Sequence, residues 1–452
     1  MTKLAPHANT TQVDVEQLKQ QVNEILAEAE RQGASAAAVN LGVSQGLSVE
    51  VRMGGVDTLE FHHNQGVSLT VYVGQRTGSA SSTDTSPNSI KETVAAALAI
   101  AKHTGEDEAN GLAPKELLAQ ADSLPALDLH HPWALSPEEA ITLAQQVEQA
   151  GREDKRIVNS DGATITSGFS VRAYGNTQGF VAAYPSTSHG MSCALVAEAK
   201  GEMQRDYYYH AHRNPAMLMA PEEVGAKAAE RTLSRLGAKQ PATGKWPVIF
   251  HAEVARGLLG HFISAISGGA LYRKASFMLD RLDTPVFPEW VTLAEHPHLL
   301  QGPASAPFDS DGLPTRAQNF VEAGVLRSYV LSLYSSRRLG LAPTGNGGGV
   351  RNLALPAGDK NLAQLCEQMG TGILVTELMG QGVNALTGDY SRGAAGYWVE
   401  NGVIAHPLEE FTVAGNLADM FMSIEAVGND VDQRGGIHTG SLLLAPLTVA
   451  GA

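Results

Sequence analysis

Three residues of a type found in metal sites, His251, Glu253 and His261, lie close together in the sequence. Zinc hydrolases commonly carry such residues on one helix, and apolar residues at helical spacing from Val254 to Ile266 predict a helix here. Ten helical residues would separate the two histidines by about 15 Å. Because zinc-bound nitrogens each lie only about 2 Å from the ion, an intact helix excludes a zinc ion shared by these histidines.

Glycine-rich loops supply further candidates. The segment Pro343–Gly349, which contains Asn346, is dense in glycine but lacks the Gly-Lys-Ser/Thr of a phosphate-binding loop. Its glycines allow close backbone approach, which suits either an extended peptide or a tight turn. His438 lies between glycines near the C-terminus. Its side chain could be simply exposed to solvent or could have a function, and the sequence leaves both alternatives open. The G-x-S-x-G pattern at Gly42–Gly46 precedes a strand-like segment, so it predicts a hairpin turn rather than a nucleophile elbow.

The composition limits the class of protein. The 452 residues carry 32 Lys and Arg against 47 Asp and Glu, a net charge of −15, which disfavours nucleic-acid binding. Only 17% of residues are charged and 47 are glycine, which indicates a sheet-rich protein with surface hidden against another subunit. The two cysteines, Cys193 and Cys366, cannot form a disulfide framework and are predicted to be core thiols. The sequence lacks an apolar signal segment and a membrane span, so we expect a cytoplasmic protein.

The elements that must position these residues fall into two parts. The pattern of residues 1–240 predicts two helix–meander–helix units that could share one sheet. The predicted helices span residues 13–33, 89–103 and 221–236, and a further helix begins at Ser136. Asp14 and Ser136 are predicted to cap two of these helices. Period-two segments between them predict short strands, with turns at Gln45-Gly46 and Asn64-Gln65-Gly66.

Residues 237–245 are the best linker candidate, and residues 241–452 are predicted to form a glycine-rich, β-rich C-terminal domain. It begins with a strand at 246–250 and the helix that follows it. Two similar hairpins are predicted at 320–326 and 398–404, with a helix at 359–369 between them. The fold class is therefore α+β, in two domains, with mainly antiparallel sheets and flanking helices.

Several motifs together resemble the TldD/PmbA family, also called the modulator of DNA gyrase family. The resemblance covers essentially the whole chain and is strongest to the PmbA (TldE) branch. The motifs are Pro247-Val-Ile-Phe250, Gly257-Leu-Leu-Gly-His261, Pro343-Thr-Gly-Asn-Gly347 and Val427-Gly-Asn-Asp430.

The resemblance implies where a metal site would lie. TldD-type members are zinc peptidases with an HExxxH motif on the helix after the Pro-Val strand, completed by a cysteine near the C-terminus. In this sequence the first histidine falls on Gly260, the catalytic glutamate on His261 and the second histidine on Ala265. The cysteine falls near Ile437 or His438. Because none of these positions keeps the family residue, we expect no metal and no cofactor on this chain.

The resemblance also implies a partner. PmbA-type chains pair with TldD-type chains, and the pair acts as a cytoplasmic metalloprotease on unfolded or peptide substrates. We therefore expect zinc on a TldD-type subunit, and a heterodimer in which this chain is a pseudoenzyme subunit, inactive alone. It would complete a peptide cleft, for which His261, Asn346 and His438 are the candidate residues.

Two alternatives remain open. The chain could be an enzyme with an atypical site near His261 and His438, or a regulatory or binding protein without a protease role.

Overall fold

The computed structural model describes residues 13–451. The N-terminal part contains one antiparallel sheet, to which both predicted units contribute three strands. Its strands are β1 (Ala36–Arg52), β2 (Gly55–Val73), β3 (Arg76–Ser82), β4 (Ile157–Asn176), β5 (Val181–Ala199) and β6 (Glu202–His212). Their order in the sheet is β3-β2-β1-β4-β5-β6.

Helices cover one face of this sheet. They are α1 (Val15–Arg31), α2 (Pro87–His103), α3 (Pro137–Gly151) and α4 (Pro221–Ser234). Alternate residues of β1 are buried beneath them, with Val39 under α1 and α2 and Val49 under α3 and α4. The predicted caps are confirmed, because Asp14 accepts backbone hydrogen bonds at the start of α1 and Ser136 forms a capping box on α3.

The predicted turns at Gln45-Gly46 and Asn64-Gln65-Gly66 are wrong, because both segments lie inside the long strands β1 and β2. A Cβ atom on Gly46 would lie 2.3 Å from the His62 ring, so this glycine admits a neighbouring side chain instead of ending a strand. The G-x-S-x-G segment is likewise continuous strand. The chain turns at Met53-Gly54, both with positive φ.

The C-terminal part contains two further sheets. The larger has the order β14-β13-β12-β7-β17-β15 and the smaller β10-β9-β8-β11-β16. The strands are β7 (Gly244–Phe250), β8 (Leu293–Glu295), β9 (Gln318–Glu322), β10 (Val325–Leu326), β11 (Leu353–Ala354), β12 (Gly372–Met379), β13 (Asp389–Glu400), β14 (Val403–Asn416), β15 (Ile424–Val427), β16 (Ile437–His438) and β17 (Leu442–Gly451). Two named pairs, β7–β12 and β11–β16, are parallel, and the rest are antiparallel. The mainly antiparallel α+β class is confirmed.

Five helices complete the C-terminal part: α5 (Ala252–Ala265), α6 (Gly268–Tyr272), α7 (Leu333–Leu339), α8 (Leu362–Met369) and α9 (Leu417–Met422). Helix α5 contributes Leu258, Leu259 and Phe262 to the largest hydrophobic core. Both predicted hairpins are confirmed, as β9–β10 and β13–β14. The division into domains near residue 241 stays a prediction.

Cys193 and Cys366 are buried free thiols, as predicted. No helix within residues 13–451 is long and apolar enough to cross a bilayer. The prediction that the N-terminus carries no signal segment concerns residues that lie outside the described part of the chain.

Candidate functional site

Helix α5 places His251 at its N-terminus and His261 further along the same helix. His251 is the N-cap residue, and its side chain accepts a hydrogen bond from the backbone N–H of Glu253. Burial lowers the pKa of His251, so its imidazole is neutral and able to accept this bond at neutral pH. His261 lies in the third turn of the same helix, so the predicted separation of the two histidines along one helix is confirmed.

Two of the positions assigned to the zinc motif, Gly260 and Ala265, have side chains that cannot bind a metal ion. A Cβ atom on Gly260 would lie 3.8 Å from Ile437 Cδ1, so this position faces an apolar side chain. Ala265 is 1% exposed in the hydrophobic core. Glycine and alanine side chains have no atom that binds zinc, so Gly260 and Ala265 do not fit the two histidine positions that the resemblance implies, whereas Ile437 and His438 both remain open for the cysteine position. Nowhere in residues 13–451 do three or more His, Cys, Asp or Glu side chains form a group that could hold a metal ion.

His261 lies beside strand β13. Its ring packs edge-on to Tyr390 with 6.1 Å between ring centroids. Burial and the positive charge of Arg392 lower the pKa of His261. The imidazole is therefore neutral at neutral pH and can donate or accept a hydrogen bond.

Asn346 belongs to a buried polar cluster around Glu295. Its amide donates to Glu295 Oε1 at 2.8 Å, and Gln318 donates to the same oxygen at 2.6 Å. The other Glu295 oxygen accepts from the Arg351 backbone N–H. Burial raises the pKa of Glu295 despite these bonds. The side-chain amide of Asn346 is therefore already hydrogen-bonded to Glu295 of strand β8.

His438 lies in β16, beside Ala354 of β11. It is 8% exposed, and its Nε2 lies 2.8 Å from the Gly435 carbonyl oxygen. Burial lowers its pKa. His261, Asn346 and His438 thus make their contacts with three different sets of partners, and the cleft assigned to them stays a prediction.

A polar groove runs along the first two turns of α5. Two adjoining cavities of about 310 and 850 Å³ share the residues Asp206, Arg231, Glu253 and Thr376. The walls come from β6, α4, α5, β12 and the segment 430–434. The groove therefore lies where the N-terminal sheet meets helix α5.

Ion pairs join these walls. Arg231 of α4 pairs with Glu253 at 2.7 Å and with Asp206 at 3.4 Å. Arg434 pairs with Asp432 at 2.9 Å and also with Glu253. Burial alone would raise the pKa of Glu253, but the two arginines outweigh it and hold that pKa below its usual value. Despite burial, the pKa of Asp432 is also lowered by Arg434, so Glu253 and Asp432 are both ionised at neutral pH.

Three consecutive tyrosines line the groove on β6. The Arg434 guanidinium lies over the Tyr209 ring, 4.4 Å from its centroid, and 5.3 Å from that of Tyr208. Arg231 lies 6.0 Å from the Tyr207 centroid. These cation–π contacts hold the arginine side chains flat against the sheet.

Strand β12 presents an edge to the groove. It pairs with β7 only over Ile373–Val375, whereas its pairing with β13 continues to Met379. Residues Thr376, Glu377 and Leu378 extend beyond the end of β7 and line the groove. Such an edge can take up an extended peptide through backbone hydrogen bonds.

Most of the residues that line this groove could not be identified from the sequence. Arg231, Arg434 and the tyrosines were not among the candidate residues, and strand β6 was not predicted. The run Asp206-Tyr-Tyr-Tyr-His210 is the one local signal that could have pointed to it.

Family models match most of the chain. They describe PmbA/TldA metallopeptidases and match domain 1 at residues 37–101, the central domain at 130–236 and the C-terminal domain at 243–451.

Individual relatives agree with these matches. "Metalloprotease PmbA" of Escherichia coli O157:H7 is 48% identical over 94% of both chains. "Metalloprotease TldD homolog" of Buchnera aphidicola subsp. Acyrthosiphon pisum is 22% identical over 83% of this chain and 82% of its own. A crystal structure from Bacteroides thetaiotaomicron, described as a proposed modulator of DNA gyrase, superposes with a TM-score of 0.91 at 29% identity, covering 97% of this chain and 99% of the other. TldE from Thermococcus kodakarensis has the same fold, with a TM-score of 0.82 at 18% identity over 95% of this chain and 100% of its own.

Proposed function

The chain is a PmbA-type member of the PmbA/TldD family, and from that premise we propose that it is the zinc-free subunit of a heteromeric metalloprotease. Its partner is a TldD-type subunit that carries the HExxxH motif and the zinc. The complex hydrolyses unfolded or peptide substrates in the cytoplasm. This chain supports the catalytic subunit and helps to hold the substrate.

The observation that carries the proposal is the chemistry of α5. The family places its zinc ligands on this helix, where Gly260 faces Ile437 and Ala265 lies in the core. A water molecule activated by zinc needs protein ligands for the ion and a nearby base. Gly260 and Ala265 supply no ligand for the ion, and His261 stands at the position of the catalytic glutamate, so we assign the hydrolytic step to the partner.

The groove beside α5 suits a role in holding substrate. The edge of Thr376–Met379 offers backbone donors and acceptors, which recognise an extended chain without regard to its side chains. The tyrosines and arginines around it offer flat apolar surface and fixed positive charge. Broad recognition of this kind fits unfolded substrates.

The test is reconstitution. The purified chain, a TldD-type subunit and their mixture are each assayed for bound zinc and for hydrolysis of an unfolded protein such as casein. We expect less than about one-tenth of a zinc ion per copy of this chain and no hydrolysis by it alone, but hydrolysis by the mixture. The control mixture contains a partner whose motif glutamate is replaced by glutamine.

Zinc-dependent hydrolysis by this chain alone would overturn the proposal. The double variant His261→Ala/His438→Ala separates it from an enzyme with an atypical site, because we expect the mixture with this variant to keep its activity. Hydrolysis lost in this variant, with binding to the partner intact, would favour the atypical site.

A further inference from the structure

The first half of strand β2 forms an open sheet edge. Strand β1 pairs with β2 along its whole length, but β3 pairs with it only from Val67 to Val73. Within residues 13–451, no strand pairs with the second edge of Gly55–Gly66. At about 3.4 Å per residue, this edge is roughly 40 Å long.

This edge carries apolar side chains on the face that elsewhere forms the core. Leu59 lies opposite Val49 and Phe61 lies opposite Leu47. The β1 residues are buried beneath α3 and α4, whereas Leu59 and Phe61 are 43% and 50% exposed. The hydrophobic core therefore continues onto β2 without a cover.

The edge is rigid. The turn at Met53-Gly54 is fixed by buried Glu148 of α3, whose two carboxylate oxygens each accept a backbone N–H of the turn at 2.7 Å. Gln145 of the same helix donates to the Gly54 carbonyl oxygen. A partner strand would therefore find a preformed template and would not have to order it.

The sequence does not protect this edge from pairing. Proteins usually blunt an exposed edge with lysine, proline or a bulge. Gly55–Gly66 contains no lysine, arginine or proline, and its one register shift lies next to the turn. Its charged groups are Asp57 and Glu60. The edge therefore suits an extended strand that alternates apolar with neutral or basic residues.

We propose that the edge Gly55–Gly66 is the docking site for an extended strand of the TldD-type partner, which pairs with β2 and covers Leu59 and Phe61. This inference rests on the proposed function. The TldD-type relative matches 83% of this chain, so a partner of that type would carry an equivalent sheet. Two equivalent edges related by a two-fold axis pair antiparallel. A second copy of this chain is less suitable, because each copy carries a net charge of −15.

The experiment compares two lysine substitutions in the full chain. Phe61→Lys changes the proposed edge, and Met203→Lys is the matched control, because Met203 is 66% exposed on β6 at the opposite edge of the same sheet. Binding to a TldD-type subunit is measured by sedimentation velocity. We expect Phe61→Lys to raise the Kd by about thirtyfold or more and Met203→Lys to change it by less than about threefold.

Hydrogen exchange of the wild-type proteins gives a second readout that needs no variant. The backbone amides of 55–66 should become protected when the partner is added. An unchanged Kd for Phe61→Lys, or unchanged exchange in 55–66 within a formed complex, overturns the docking site and leaves the proposed function standing. If the wild-type chain neither binds nor activates the partner, the proposed function fails and this inference fails with it.

Discussion

Gly260 lies in the interior of helix α5. Glycine in a helix interior costs about 1 kcal/mol relative to alanine. A Cβ atom at Gly260 would meet only Ile437 Cδ1, at an ordinary 3.8 Å. We therefore expect Gly260→Ala to raise the free energy of unfolding by about 0.5–1 kcal/mol, measured by urea denaturation.

The control for this substitution is Gly225→Ala on α4. A Cβ atom there would lie 2.0 Å from the Val147 carbonyl oxygen, because α3 and α4 pack closely at this point. This variant should lose about 2 kcal/mol or more. A loss of stability in Gly260→Ala would contradict the open surroundings described for that position.

Two buried carboxyl groups, those of Asp309 and Asp311, lie beside the glycine-rich loop. Asp309 accepts hydrogen bonds from the backbone N–H groups of Asp311, Leu313 and Gly347. Burial and the adjacent Asp311 carboxylate nevertheless raise the pKa of Asp309 to about 6. Because its folded-state pKa lies above the unfolded value of 3.8, the stabilisation from its protonated form is complete below about pH 4. It is lost as the pH rises through about 6, by roughly 3 kcal/mol in total.

Asp311→Asn tests this coupling. Removing the neighbouring charge should lower the pKa of Asp309, so the loss of stability should be smaller and should level off at a lower pH than in the wild type. Urea midpoints measured from pH 4 to pH 8 give the two curves. The lowered pKa values of His251 and His438 act in the opposite direction in both proteins and cancel in the difference, which reports Asp309 together with the raised pKa of Asp311 itself. Parallel curves would show that the two carboxyl groups are not coupled.

At the scale of elements, Arg434 joins the C-terminal segment 430–434 to α5 and β6. It pairs with Asp432 and Glu253, which are 4% and 18% exposed, and it packs on Tyr209. Arg434→Ala would leave two buried carboxylates short of a partner, so we expect a loss of about 3 kcal/mol in unfolding free energy. Arg434→Lys should lose less, because it keeps the charge but not the planar contacts.

Arg156→Ala is the control for this prediction. Arg156 pairs with Asp154, two residues away on an exposed turn. We expect a change below about 0.5 kcal/mol. Equal losses in Arg434→Ala and Arg156→Ala would mean that the groove's ion pairs do not hold the elements together.

The elements differ in how far the sequence could predict them. Helix caps at Asp14 and Ser136 are local features, so the spacing of a few residues was sufficient. The full length of the strands β1 and β2 could not be predicted, because a glycine such as Gly46 ends a strand or lies within it according to partners far along the chain. Here Gly46 pairs with His62 on one side and Gly168 on the other.

The candidate site shows the same limit. Gly260 and Ala265 lie on one helix, so a single apolar pattern in the sequence was sufficient to predict that they share this element. The groove could not be predicted in this way, because Asp206, Arg231, Glu253 and Arg434 come from different elements. Only the tertiary fold brings these charges together.

At the scale of the whole molecule, the N-terminal sheet is joined to the C-terminal part by side chains as well as by the chain. Phe308 packs among Tyr174, Phe180 and Tyr184 of β4 and β5 and the turn between them. Arg213 donates to the carbonyl oxygens of Gly302 and Pro303. Contacts of this kind fix the walls of the groove, which come from both parts.

The connection 104–136 between α2 and α3 depends on such a contact, because it contains neither an α-helix nor a strand. Arg337 of α7 donates to the carbonyl oxygens of Ala109, Gly111 and Leu112. Arg337→Ala would remove these bonds, worth about 2 kcal/mol together. We therefore expect trypsin to cleave after exposed Lys115 about thirtyfold faster in this variant.

The neighbouring Arg338 provides the control for this last prediction. It is exposed and makes one ion pair with Asp107 at 3.6 Å, so Arg338→Ala should change the cleavage rate by less than about threefold. Mass spectrometry of the first products identifies the cleaved bond. Equal rates in the two variants would mean that the connection is held by its buried residues Ala109 and Ala113. A selective increase in Arg337→Ala would show that the C-terminal part fixes a segment of the N-terminal part and so stabilises the molecule as one unit.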